Sequence, residues 1–424
     1  MGALSPFKKE NCMSENPKGT PWKTDDWFVS PWNYVDEVTK GFNPPKKVRI
    51  HDVTLRDGEQ QAGIIYTKDD KVRIAEKLAE AGVHRIETGM PAVSPMDEAA
   101  IREIVKRNLG PEIFCFSRCI VDDVKRAADC GVSGVVIEIP VSAHMIDHAY
   151  RWPLEKAIDL SIKATACAKE QGLYTVFFTI DGTRADMDFL LNLVDRVATE
   201  GHMDAFTLVD TFGVLSPQAA SYFTRKVKER VSKPIEVHFH SDFGMGVANT
   251  IMAVLSGAEV IHSTVGGIGE RCGNAPMEET AMALLTMYGI DVGINFSKIN
   301  ELSKLVMELS GLEVPPQRPF VGEKAYTVES GIVTGWYRNA YKKHPTTVFP
   351  VRPEFVGHAA PEIIMGKKSG VDNIMVWAER LGLEIAEDKE MEILNRIKRR
   401  SHDLKRVLTE REFGEIVAQV KAGK

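Results

Sequence analysis

Two histidines one residue apart, His238 and His240, lie in the run Ile235-Glu236-Val237-His238-Phe239-His240. In an extended strand, side chains two apart share a face, so both imidazoles project side by side. Such a pair begins a metal site, but two ligands do not complete one. A carboxylate is available near the start of the chain, at Asp57 in Thr54-Leu55-Arg56-Asp57-Gly58-Glu59-Gln60. Two imidazoles and one carboxylate suit a divalent cation such as Mg, Mn, Zn or Co, with positions left open for a substrate. A 2-oxo acid would chelate through its carboxylate and keto oxygens, and the cation would polarise the keto carbon. Arg56 offers a fixed cation to the same developing charge; its plainer role is a salt bridge with Glu87 at a barrel rim. Glu87 would in turn orient Arg56. Thr211 is placed to donate to a substrate carboxylate, or is a simple turn residue.

These residues act together only if the chain gathers them. From Val48 onward, β-rich runs alternate with helix-period stretches. Strands are predicted at 48–53, 84–88, 113–117, 134–139, 174–179, 205–209, 235–240 and 260–264. Helices are predicted at 69–81, 154–171, 186–200, 217–231 and 245–256, and Gly82, Gly131, Gly172 and Gly257 serve as stops. Eight strand–helix repeats over about 250 residues predict a (β/α)8 TIM barrel, in which the C-terminal strand ends form the site. Asp57, Glu87, Arg118, Thr211 and the His238–His240 pair all fall at such ends. An open doubly wound sheet is the alternative, but no G-x-G-x-x-G follows the first strand. Residues 1–45 read as an irregular N-terminal extension whose Trp22, Trp27 and Trp32 pack on the body or on a neighbouring subunit. Residues 46–310 read as the catalytic barrel. Residues 311–424 read as a linker and a small C-terminal accessory α/β region, with helices near 372–383 and 388–420.

Composition narrows the function classes. The 424 residues are 44% hydrophobic and carry a net charge of -6, which leaves no electrostatic footprint for nucleic acid. No apolar run is long enough to cross a membrane, and no basic-then-apolar leader opens the chain. The six cysteines form no C-x-x-C pair, so a reducing cytoplasm is the expected location.

Longer motifs narrow it further. The string 54–60, His238-x-His240 followed by Ser241-Asp242-Phe243-Gly244, and the loop 267–274 together resemble the DRE-TIM metallolyase superfamily. Within it, the chain is similar to the 2-isopropylmalate and homocitrate synthase branch. Ser330-Gly331-Ile332, the run 353–357 and Gly366-Lys367-Lys368-Ser369-Gly370 resemble the accessory subdomains that follow the barrel there. The resemblance implies a divalent metal on Asp57, His238 and His240, with Asn274 in the fourth-ligand position. It implies Arg56 on the oxo-acid oxygen, Thr211 on its carboxylate and Glu87 in the substrate pocket, with Gln60 and Arg118 as further substrate-binding groups. It also implies acetyl-CoA or another acyl-CoA as co-substrate and a homodimer.

Two departures stand against these matches. Ile180 occupies a position where the synthases carry a glutamate, and Val333 one where they carry a histidine after Ser-Gly-Ile. Both family residues are associated with proton transfer, which neither side chain here can perform. Gly266 and Lys368 replace a common asparagine and histidine. Replacement acid–base candidates are Cys272, near a cysteine used by the 3-hydroxy-3-methylglutaryl-CoA lyase branch, and His144, near a histidine of the family. Tyr337 and Tyr341 are further candidates, or packing residues. Two activities therefore stay open: Claisen-type condensation of an acyl-CoA with a 2-oxo acid, or metal-dependent lyase or aldolase cleavage of a hydroxy acid. A metal-binding relative without catalysis is the third.

Overall fold

All eight expected strands are present in the computed structural model, which describes residues 19–423, each within one residue of its expected ends. They are β1 (Arg49–Asp52), β2 (Arg85–Glu87), β3 (Glu112–Arg118), β4 (Gly134–Pro140), β5 (Tyr174–Ile180), β6 (Ala205–Asp210), β7 (Ile235–Phe239) and β8 (Val260–Ser263). They pair in sequence order, all parallel, and β8 closes on β1 through Arg49–Val260 to Asp52–Ser263. Strands covered on both faces need apolar residues at successive positions, and β6 (Ala-Phe-Thr-Leu-Val-Asp) is buried at every one.

The helices between strands start and stop where local chemistry dictates. Lys68–Ala81 opens on a reciprocal cap between Thr67 and Asp70. The helices from Pro95 and Pro217 open on Ser94 and Ser216, whose hydroxyls accept orphan N–H groups. Gly82, Gly131, Gly172 and Gly257 all take the positive φ expected of helix stops. Inside the barrel, Phe114 and Phe116 of β3, Val136 of β4, Val176 and Phe178 of β5, and Ala205 and Val209 of β6 pack as one cluster. Their alternation fixes which side chains face inward, and thus which reach the mouth.

The chain divides into two compact units. One holds 39–328 with 353–364 and contains the barrel; the other holds, of the described residues, 19–38, 329–352 and 365–423. Residues 311–328 and 353–364 stay with the barrel. The accessory region over 311–424 combines helices with one short parallel strand pair. The second unit is helical, built on Val371–Leu381, Glu390–Leu404 and Glu410–Lys421. The parallel pair Thr327–Val328 and Glu362–Ile363 belongs to the barrel unit. The expected single helix over 388–420 is broken, because Lys405 takes φ +54 and a Thr409–Glu412 capping box starts a new helix. Trp377 and Phe413 meet edge to face at 5.5 Å in this unit's core.

The first 18 residues of the N-terminal extension lie outside the described residues. Of its tryptophans, Trp22 lies 6.0 Å from the Tyr34 ring and Trp27 bridges to Val351, whereas Trp32 is exposed.

Candidate active site and metal centre

β1 ends in a tight turn. The Asp52 carboxylate accepts from the Thr54 N–H and hydroxyl, both at 3.0 Å, and a 3-10 turn at Gly58–Gln60 follows. The turn sets Asp57 over the end of β7. Asp57 Oδ2 lies 3.1 Å from His238 Nε2 and 3.5 Å from His240 Nε2, and the two Nε2 atoms are 3.3 Å apart. All three side chains are buried. The His238 ring sits against Phe178, with centroids 5.1 Å apart, so packing fixes its orientation.

Asn274 closes the group. Its backbone bridges to His240, and its Nδ2 donates to Asp57 Oδ2 at 2.8 Å and to the Ile268 carbonyl at 3.2 Å. Among the described residues, its buried Oδ1 has no hydrogen-bond partner. Gly269 makes this approach possible: at φ +149, any Cβ would strike Asn274 Nδ2.

The donor set fits a divalent cation. Burial works to raise Asp57, but Arg56, then His238 and His240, hold its carboxyl well below the usual range. Burial lowers His238 to about 3 and also lowers His240, so both rings are neutral at pH 7 and present lone pairs. An ionised carboxylate and two neutral imidazoles thus converge in one buried place, with the Asn274 amide against the carboxylate.

Arg56 is also buried. Its Nε donates to Glu87 Oε1, its Nη1 to Gln60 Oε1 at 3.1 Å, and its guanidinium lies 4.0 Å from the Phe116 ring centroid. The salt bridge with Glu87 is therefore real but internal, not on the rim. It heads a polar column down the barrel. Glu87 Oε2 lies 3.3 Å from His51 Nε2, Glu236 Oε2 lies 2.7 Å from His262 Nε2, and Arg85 Nη1 donates to Glu236 Oε1 at 2.7 Å. In this buried group three carboxylates (Asp57, Glu87, Glu236) face two guanidiniums (Arg56, Arg85). The excess is negative, as a cation beside Asp57 requires.

The other expected residues are placed unevenly. Thr211 Oγ1 accepts the Asp181 N–H at 2.7 Å. Arg118 is exposed and held by Asp123, at 2.6 and 3.2 Å. His144 is exposed, and its ring contact is His148, at 4.8 Å. Cys272 is an exposed free thiol in the loop after β8. Among the described residues, no hydrogen bond, ion pair or ring contact ties His144 or Cys272 to the Asp57 cluster. Tyr337 and Tyr341 stack on each other at 4.7 Å. The sequence reading missed His51, Arg85, Glu236, His262 and Glu138. A signal was present for Arg85 and Glu236, which alternate with Glu87 along β2 and with His238 along β7 at the period of an inward face.

Comparisons with known proteins agree with this architecture. Residues 47–306 match the HMGL-like family, and residues 320–405 match the homocitrate synthase post-HMGL domain-like family. Homocitrate synthase AksA of Methanopyrus kandleri is 41% identical over 91% of this chain and 96% of its own length. The 2-isopropylmalate synthase of Methanocaldococcus jannaschii is 37% identical over 91% of this chain and 74% of its own. The crystal structure of the Bacillus subtilis HMG-CoA lyase shares the fold, with TM-score 0.58 and 22% identity, covering 64% of this chain and 96% of that one. The chain belongs to the HMGL-like family, on the DRE-TIM branch that holds the homocitrate and isopropylmalate synthases.

Proposed function

We propose that this protein condenses acetyl-CoA, or another acyl-CoA, with a 2-oxo acid, and that Asp57, His238, His240 and Asn274 hold the divalent cation that the reaction needs. One observation carries the reading. The buried donor cluster stands in a chain whose similarity to homocitrate and isopropylmalate synthases continues through the accessory region. The lyases share the barrel alone, so cleavage of a hydroxy acid rests only on Ile180 and Val333.

A bound divalent cation supplies Lewis acidity toward a keto group. Arg56 faces the developing oxyanion, and because Glu87, Gln60 and Phe116 already fix it, no reorganisation is needed as charge builds. The Thr211 hydroxyl accepts from Asp181, which leaves its own hydrogen for the substrate carboxylate. Phe116, Phe178 and Met90 keep water from the carbon chain of the oxo acid. Arg118 serves at the entrance. A homodimer, a cytoplasmic setting, and Mg, Mn, Zn or Co as the ion complete the proposal. Among the described residues, no helix is long and apolar enough to cross a membrane.

The test is release of free CoA thiol from acetyl-CoA with 2-oxoglutarate, 2-oxoisovalerate or pyruvate, on protein loaded with Mg or Mn. Thiol release with one of them is expected. Silence across the panel overturns the condensation reading, and cleavage of a single hydroxy acid without an acyl donor installs the lyase reading instead.

A further inference from the structure

Condensation needs a group that takes a proton from the acyl methyl, and neither Ile180 nor Val333 can do so. β4 offers one. Val136 faces the barrel interior, so Glu138, two residues on, does too. Glu138 pairs in register with Arg118 on β3 and Phe178 on β5, and Pro140 pairs with Ile180. Glu138 therefore stands one strand over from Ile180 and one layer deeper, beside the Phe178 ring that packs on His238.

Its surroundings differ from those of every other acid at the mouth. Asp57 is bound by His238 and Asn274, Glu87 by Arg56, Asp181 by Arg184, and Asp210 by Thr183. Among the described residues, nothing hydrogen-bonds or ion-pairs with the Glu138 carboxyl. It borders a cavity of about 420 Å³ lined also by Arg118, Tyr150, Trp152, Lys156 and Ile180. Two cations of this cavity are engaged elsewhere: Arg118 is tied to Asp123, and Lys156 lies over Trp152 at 4.3 Å. An unneutralised carboxylate beside an aromatic-walled space, next to a metal-ligand cluster, is a base with room for a substrate.

We propose that Glu138 is the catalytic base of this enzyme and that the cavity beside it seats the acyl end of the thioester. This rests on the condensation reading above. The Glu138 carboxylate takes a proton from the acyl methyl, and the C–H electron pair stays on carbon as an enolate. That carbon attacks the keto carbon, a C–C bond forms, and the carbonyl π pair moves to oxygen. The proton on Glu138 passes to that oxygen and restores the carboxylate. Water then cleaves the thioester, and CoA leaves as its thiol.

The charge environment supports the role. Burial pushes Glu138 up to about 7, against the pull of Arg56 and Arg118, and Glu87 and Asp57 add to the rise. Tyr150, Cys119 and Lys156 are the other titratable groups around it. A base near neutrality combines availability with driving force.

Glu138→Gln, compared with wild type and Glu138→Asp on the oxo acid that releases thiol, tests this. The Gln variant is expected to lose about 10²–10⁴-fold in kcat while metal content and oxo-acid KM stay within about threefold. The wild-type kcat is expected to fall on the acid side of about pH 7, and that limb to vanish in Gln. Wild type should exchange acetyl-CoA methyl protons with D2O in the presence of the 2-hydroxy analogue of the oxo acid, and Gln should not. Glu138→Asp should recover about tenfold over Gln. A Gln variant within about threefold of wild type, with its acid limb kept, overturns the assignment and leaves the condensation reading intact. If Gln fails to hold metal, Asp decides: an unchanged kcat and an unshifted limb overturn it. Wild-type protein that releases no thiol on any oxo acid removes both the reading and this inference.

Discussion

At the scale of single residues, the metal-ligand proposal turns on His240. Loss of residues that merely orient a ligand costs about 10–100-fold in metal affinity, so removing a ligand itself should cost more. His240→Ala should therefore emerge from dialysis with little metal and a correspondingly low rate. Unchanged occupancy by elemental analysis would sink the ligand assignment. His238, His240 and Asp57 were legible because strand alternation and strand-end position are properties of the sequence. Glu138 was not. It matches no position where a carboxylate was sought, and its lack of a partner exists only once β3, β4 and β5 are assembled. His51 and His262 were hidden for the same reason, since each completes a contact made by a distant strand.

At the scale of elements, the strand ends were read to within a residue because each parallel strand is a short apolar run bounded by caps and glycines. The break at Lys405 went unread, since a lysine carries no turn signal, although Thr409–Glu412 announced the restart. The loop after β8 shows how elements adapt to each other. Gly266 takes φ +65, and a Cβ there would run into Met307 Cε on the helix Ile299–Leu309. The methionine thus fills space that a side chain at 266 would occupy. Gly266→Asn alone should destabilise the barrel by about 1–3 kcal/mol through overpacking. In urea unfolding, pairing it with Met307→Ala should recover part of that loss beyond the sum of the single changes. Simple additivity would show that the two positions do not compete for the same space.

At the scale of the whole molecule, the buried polar column makes stability depend on pH. Burial lowers His51 to about 4 and His238 to about 3, while the unfolded chain protonates its histidines near 6.5. Glu87 and Glu236 are held at about 2 despite burial, by Arg56 and His51 for the first and by His262 and Arg85 for the second. Below about pH 6.5 these histidines, with His84 lowered to about 4 and His240 also lowered, let the unfolded state bind more protons, each worth about 1.4 kcal/mol of stability per pH unit. Asp52 and Glu138, pushed up to about 7 by burial, offset part of that loss down to about pH 4. The carboxylate share is present above about 4.5 and fades toward 2. Metal-free protein should show its unfolding midpoint dropping steadily from pH 7 to 4. A flat profile over that range would mean that these groups titrate alike in both states. The barrel was legible from its eightfold rhythm, but the charge balance at its centre was not, because only closure sets β1, β2, β7 and β8 around one axis.

That closure also separates two territories inside the ring. Ionic side chains crowd the arc from β7 through β2, and, Glu138 of β4 and Thr207 of β6 apart, apolar ones fill the arc from β3 through β6. A descendant of this chain can exchange one carbon skeleton for another by swapping Met90 or Ile180 at the greasy margin, without rewiring the half that handles ions. Diversity of appetite on a constant chemical engine is what such a partition permits.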